Sequence, residues 1–189
     1  DISVNTTSRA RFLYFNKKIH EENNLEDPYE MVRTGEWTWD KFAAMVTAVS
    51  EDLDGSGTYD GFDRYGLLWE AAAYFYTGAG VLLTGKDEND IPFLTVDETP
   101  EETYTILGKV LEFYNDDQTV MVAENYKYKN YPNVYEGTVH KAFLEGRELF
   151  YMCGLMNGPS FRMMEDEFGI LPIPKYYDTQ DRYYHTISS

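Results

Sequence analysis

Between Thr38 and Trp69 the hydrophobic period changes twice, and this change constrains the fold more than any other feature of the sequence. Phe42, Met45, Val46 and Val49 fall at i, i+3, i+4 and i+7, one apolar stripe on a helix predicted from about Trp39 to Ser50 with Thr38 as its cap. A polar, Asp-rich stretch follows. Then Tyr65-Gly66-Leu67-Leu68-Trp69 is apolar throughout, which predicts a strand buried on both faces. A helix, a tight polar loop and a buried strand in sequence point to helices layered on a sheet.

The rest of the chain repeats the alternation. Arg11–Asn16 predicts an aromatic strand, Lys17–Asn23 and Tyr29–Arg33 short helices, and Glu70–Tyr76 a helix ending at Gly78 or Gly80. Val81–Val96 predicts a hairpin of Val81-Leu82-Leu83 and Phe93–Val96 around Asp87-Glu88-Asn89-Asp90. Thr99 and Pro100 open a helix whose stripe is Ile106, Leu107, Val110, Leu111 and Tyr114. Asn125–Asn133 reads as a polar loop, Val134–Leu144 as a helix, Glu148–Met152 as a strand and Pro159–Asp166 as helical. The prolines of Phe168–Pro174 require an extended segment. The expected class is α/β, a sheet flanked by helices. At 189 residues and 43% hydrophobic content, one domain with a real core is expected.

The loop from Asp52 to Asp63 has the spacing of a calcium site. Oxygen donors stand at positions 1, 3, 5, 7, 9 and 12: Asp52, Asp54, Ser56, Thr58 through its carbonyl, Asp60 and Asp63. Gly57 occupies position 6, where the chain must turn sharply. Calcium takes six to eight hard oxygens in irregular geometry, and crowded carboxylates need a cation to relieve their repulsion. The last position is Asp rather than Glu, which shortens the closing arm. The alternative is a solvated Asx and Gly turn without metal. Because a strand follows, the loop is expected to brace a corner rather than to act in a helix–loop–helix sensor.

Charge narrows the partners. Sixteen Lys and Arg against 33 Asp and Glu give a formal charge of −17, which disfavours nucleic acid and anionic membranes. Seventeen Tyr, 11 Phe and 3 Trp make an aromatic excess that suits a core and also a carbohydrate or peptide cleft. Trp37 and Trp39 could form a sugar platform, with at least one expected to pack; Trp69, at a strand's C-terminal end, is the better cleft residue. Amides of the Gly154–Gly158 turn could meet a ligand hydroxyl or carboxylate. Cys153, in an apolar setting, is expected to be a small buried hydrophobe. Hydrolase, P-loop, zinc-protease and CxxC motifs are absent. Glu70 beside Trp69 could be a glycosidase acid, but no second carboxylate with a partner role is evident. Glu165 and Asp166 are expected on a solvated helix face. No apolar run approaches the ~20 residues that span a bilayer, and the chain opens at Asp1 without a visible signal peptide, as expected of a mature fragment or cut domain.

Several phrases in order resemble the extracellular solute-binding proteins of ABC importers, in the carbohydrate-binding branch. They are Leu13-Tyr14-Phe15-Asn16-Lys17-Lys18, Gly35-Glu36-Trp37-Thr38-Trp39-Asp40-Lys41-Phe42, the acidic loop ending in Tyr65-Gly66-Leu67, Phe143-Leu144-Glu145-Gly146-Arg147, and Phe168-Gly169-Ile170-Leu171-Pro172-Ile173-Pro174-Lys175. The resemblance implies one lobe of a two-lobed periplasmic-binding-protein-like fold. Residues 1–189 would be the second, C-terminal-side lobe without its partner, bounded by hinge crossings near Asn5 and Ile187. Family members are about twice this length, consistent with two domains. It implies a non-catalytic, monomeric protein, lipid-anchored outside the membrane, that hands a sugar to the transmembrane subunits of an ABC permease. By motif, Trp69, Gly154, Leu155 and Arg162 would face the ligand. The alternatives are a carbohydrate-active enzyme fragment and a calcium-stabilised interaction module such as a dockerin. A dockerin usually carries two such loops in tandem, and this chain carries one.

Overall fold

A computed structural model describes residues 7–69, 73–97, 99–122 and 139–187. Its centre is a five-stranded mixed sheet. The strands are β1 (Arg11–Asn16), β2 (Tyr65–Trp69), β5 (Val120–Val122), β6 (Glu148–Gly154) and β7 (Phe168–Leu171), in the spatial order β5-β2-β6-β1-β7. β2 runs parallel to β5 and β6. β1 is antiparallel to β6 and β7, so β1 alone points against the other four. A separate hairpin pairs β3 (Thr84–Lys86) with β4 (Pro92–Leu94).

Both faces of the sheet are covered, which is why its strands read as unbroken apolar runs. All seven residues of β6 are buried. On one face, Leu13, Phe15, Leu67, Phe150 and Met152 pack into the larger core. That core is completed by helices α3 (Trp39–Val49) and α5 (Pro100–Tyr114). The four residues of the α3 stripe are all buried. On the other face, Tyr14, Leu68, Tyr151 and Cys153 pack with Phe161 and with Ala142 and Phe143 of α6 (His140–Leu144). The expected helix before His140 and the loop Asn125–Asn133 lie outside the described residues, as does Glu70.

The aromatic excess goes largely into this packing. The Phe42 ring lies 5.2 Å from both Phe75 and Phe150 and 5.8 Å from Trp39, separations typical of favourable ring pairs. Trp37 and Trp39 are both buried. Trp37 also donates its indole N–H to the Pro172 carbonyl at 2.9 Å. Neither is a sugar platform; the buried stripe of α3 pulls both rings inward.

Local chemistry fixes the element ends. Asn16 caps α1 (Lys17–Glu22) by accepting the Ile19 amide at 3.1 Å. Asp27 caps α2 (Pro28–Thr34) by accepting Tyr29, with Pro28 in the first turn and Gly35 at φ 79° closing the end. Thr38 holds the expected position before α3 without a side-chain cap. There the first orphan amide is satisfied instead by tertiary structure, since Trp39 N–H donates to the Lys175 carbonyl at 2.7 Å. A fourth short helix, α4, covers Ala73–Gly78.

Four expectations need correction. The hairpin pairs three residues later than the apolar pattern of Val81-Leu82-Leu83 suggests, because Asp87 accepts the Asn89 and Ile91 amides and sets the turn. The ladder therefore starts at Lys86 and Pro92, and Thr95–Asp97 is a 3-10 turn. Ile106 and Val110 of the expected α5 stripe are buried, and Leu107 and Tyr114 pack against the core, but Leu111 is 48% exposed, because Thr103 shares the buried face in its place. Pro159–Asp166 is one 3-10 turn, Ser160–Met163, which inserts Phe161 against Tyr14 and Phe143. Asp166 is therefore no solvated helix residue: it accepts the Asn16 amide group at 2.9 Å and pairs with Lys18 at 3.4 Å.

Candidate functional site

The acidic loop leaves α3 and is closed at its base by a two-residue bridge. Glu51 N–H donates to the Arg64 carbonyl and Arg64 N–H returns the bond, at 3.1 and 3.0 Å. Within it, Gly55 and Gly57 take φ of 70° and 79°, left-handed values that a side chain would strain. The chain folds around its own carboxylates. Asp52 accepts the Gly55 and Gly57 amides at 2.8 and 2.7 Å. These bonds, Gly57 first, hold its carboxyl below the usual range against the opposing effect of burial. Asp54 accepts Ser56 N–H at 2.8 Å. Asp63, 1% exposed, spans the loop by accepting Leu53 at 2.9 Å and Asp60 at 2.7 Å.

The outcome is a compact oxygen cluster. One carboxylate oxygen each from Asp52, Asp54 and Asp63 lies within 4.8 Å of the others, so the three could hold a metal ion together. Hard anionic oxygens suit a hard divalent cation. Asp60 stands outside this triad, and its carboxylate accepts Phe62 N–H at 2.8 Å. The Ser56 hydroxyl donates to the Thr58 carbonyl at 3.0 Å, so a cation at that carbonyl shares it with the hydroxyl. Two outside clamps fix the loop. The Arg147 guanidinium donates to the carbonyls of Gly61 and Asp63 at 2.8 and 3.4 Å, and the Tyr65 hydroxyl donates to the Asp60 carbonyl at 2.9 Å. Arg147 was not legible as a loop residue; its signal is the Gly146-Arg147 pair, with Gly146 at φ 70°.

A second region forms where β2, β5 and β6 end. Parallel strands bring their C-terminal residues to one edge, the usual place for a ligand in an open α/β sheet. Trp69, Val122 and Gly154 terminate their strands there. Because β1 runs the other way, its first residue, Arg11, is level with Gly154. Ala10 and Ile187 form an isolated antiparallel bridge beside the start of β1, so two distant segments of the chain run side by side there. The Arg11 guanidinium lies 4.9 Å from the Tyr74 ring centroid, and Phe12 stacks on His185 at 5.4 Å. These two ring contacts were not legible in the sequence; for the first, the available signal is an arginine opening an otherwise apolar strand.

The expected ligand residues divide between two places. Gly154 and Leu155 lie at this edge, and a Cβ on Gly154 would come within 3.3 Å of the Ser8 carbonyl. The amides of Leu155 and Gly158 donate to the carbonyls of Ala10 and Leu155, both at 3.1 Å, so these two amides are already engaged. Met156, beside them, is 61% exposed. Arg162 borders a different depression of about 310 Å³ with Glu165, Asp166 and Phe168. Phe168 pairs with Asn16, the far end of β1 from Arg11, so Arg162 does not join Gly154 in one site.

No family model matches the chain, and neither does any curated protein. Solved structures do match in fold. An ABC substrate-binding protein from Listeria monocytogenes, in complex with cycloalternan, superposes with a TM-score of 0.62 at 13% identity, over 90% of this chain and 38% of its own. The maltose/maltodextrin-binding domain MalE from Bdellovibrio bacteriovorus, bound to maltotriose, gives 0.62 at 16% identity, over 96% and 41%. UgpB from Mycobacterium tuberculosis, in complex with glycerophosphocholine, gives 0.56 at 17%, over 89% and 38%. The fold is that of one lobe of periplasmic-binding-protein-like structures, and this chain spans about two fifths of those proteins. Among the described residues, no helix is long and apolar enough to cross a membrane.

Proposed function

We propose that the chain is the C-terminal-side lobe of the substrate-binding component of an ABC importer. It captures an oligosaccharide outside the cell, where the whole protein is lipid-anchored, and passes it as a monomer to the transmembrane permease subunits. Fold alone does not assign function. The observation that carries this reading is the convergence of three strand C-termini on one edge, with the Ala10–Ile187 bridge beside it. A partner lobe joined through Ala10 and Ile187 would face that edge across a cleft. Neighbours of this fold are described as bound to cycloalternan, maltotriose and maltose.

In this reading Trp69 offers a ring to the sugar from the end of β2, and Gly154 keeps the backbone low where Leu155 meets the ligand. Arg162 contributes only if the ligand extends round the sheet. No catalytic role is assigned to any residue. The acidic loop holds structural calcium, with Asp52, Asp54 and Asp63 as its carboxylate core and Ser56, Thr58 and Asp60 completing the shell; its part is to keep the corner beside β2 rigid. The deciding experiment is calorimetric titration of the two-lobed protein with a maltodextrin panel. Saturable binding without cleavage products is expected, and Trp69→Ala should weaken it at least tenfold. Turnover of the sugar would favour the enzyme reading, and unchanged affinity would remove Trp69 from the site.

A further inference from the structure

Glu148 opens β6, the strand between β1 and β2, and is fully buried. Among the described residues, neither of its carboxylate oxygens has a hydrogen-bond partner. Such a group is costly as an anion and tolerable as a neutral acid. Its neighbours are the two clamps of the acidic loop. Arg147, the preceding residue, holds the Gly61 and Asp63 carbonyls. Tyr65, its register partner on β2, holds the Asp60 carbonyl.

We propose that Glu148 is a proton-dependent latch: neutral, it lets the start of β6 stay closed and the clamps hold the acidic loop; ionised, it draws water to that strand end and releases them. Burial pushes the Glu148 carboxyl well above the ordinary range, and only the Arg147 charge works against the shift.

Most of the charged groups on the elements around β6 are otherwise engaged. On the β2 side Arg64 pairs with Glu51 through a terminal nitrogen, while its Nε is buried without a partner among the described residues; Asp63 is bonded to Leu53 and Asp60. On α6 and its turn Lys141 and Arg147 both pair with Glu145, and the His140 ring packs against Tyr151 and Phe161. On α1 Lys17 and Lys18 pair with Glu167 and Asp166, and His20 contacts the Glu26 carbonyl. The buried face of α3 (Trp39, Phe42, Met45, Val46, Val49) carries no ionisable side chain. Arg147, whose charge acts on Glu148, is already committed to Glu145 and to the loop carbonyls.

The sign follows from linkage. The folded state keeps the proton that the unfolded chain loses near pH ~4.3. Stability is therefore full below that pH and falls as pH rises toward the folded value, where the fall levels off. The test is denaturant unfolding of the chain, in EDTA and without sugar, from pH 4 to 9.5, for wild type, Glu148→Gln and Glu148→Leu. The wild-type unfolding constant, divided by that of either variant, should climb by up to about tenfold per pH unit in this window. Hydrogen exchange read alongside should show wild-type protection at the Leu53 and Asp60 amides falling on the alkaline side before that of β7, and not in Glu148→Gln. A flat ratio would overturn the neutral acid, and loop protection that ignores pH would overturn the latch. If neither variant folds, the carbon-13 shift of the wild-type Glu148 carboxyl decides: titration in the ordinary carboxylate range sinks the idea. Neither cation nor sugar enters the experiment, so its outcome is independent of the transport reading.

Discussion

Gly66 shows how much one residue can carry. A Cβ there would stand 2.0 Å from the Val46 carbonyl oxygen, with the Val46 Cα and carbonyl carbon at 2.5 Å. All three obstacles are backbone, so no rotamer change relieves them. Gly66→Ala is expected to force α3 away from β2 and to cost about 3 kcal/mol or more in denaturant unfolding; a cost below about 1 kcal/mol would refute so close a contact. The sequence Tyr-Gly-Leu shows the glycine but not its reason, which lies twenty residues upstream on another element. Buried stripes fared differently. Phe42, Met45, Val46 and Val49 were legible because a helix repeats its face locally. Trp37 and Trp39 were ambiguous for the opposite cause: an aromatic ring suits a cleft as well as a core, and only the surrounding rings decide. At the same scale, Tyr14 needs a proton: burial first, then Cys153, raise its hydroxyl to about 12, while its bond to the Leu155 carbonyl is 3.3 Å.

At the scale of elements, the acidic loop was the most legible part of the chain because its donors and their amide partners lie within twelve residues. Its outer support was not, since Arg147 reaches Gly61 across 86 positions of sequence. Calcium is expected to raise the melting temperature of the wild-type chain. Where free calcium exceeds its dissociation constant a hundredfold, mass action adds roughly 2.7 kcal/mol. Asp63→Ala should remove that rise and, without calcium, still cost about 2 kcal/mol, because the Leu53 and Asp60 amides lose their acceptor. Calorimetry and thermal melts in calcium and in EDTA check both parts; no heat and no shift at millimolar calcium would end the metal reading. Acid should act in the same direction. The lowered Asp52 carboxyl stabilises the loop above its unfolded value, and that contribution is lost as pH falls through the folded one.

For the whole molecule, the layer order was legible and the strand order was not. Alternating strand and helix patterns predicted a covered sheet, which β6 confirms by burying all seven residues. Nothing local says that β1 lies between β6 and β7, because such pairings join residues more than 130 positions apart. Charge also acts at this scale. A formal charge of −17 repels itself most in the compact state. Sodium chloride raised from ~10 to ~300 mM should therefore increase the melting temperature, as screening shortens to within a few ångströms; a decrease would mean that the ion pairs outweigh the repulsion.

The bridge between Ala10 and Ile187 also decides how this body answers a pull. Both chain segments leave it from the same end, with Arg11 N–H donating to the Thr186 carbonyl at 3.0 Å just inside. Tension applied to the two segments beyond this bridge would meet these bonds one after another, as in opening a zip, rather than load them together in shear, while β1 is held on both sides by β6 and β7. An opening force at that edge would be met first by these few bonds, before any strand of the sheet is loaded.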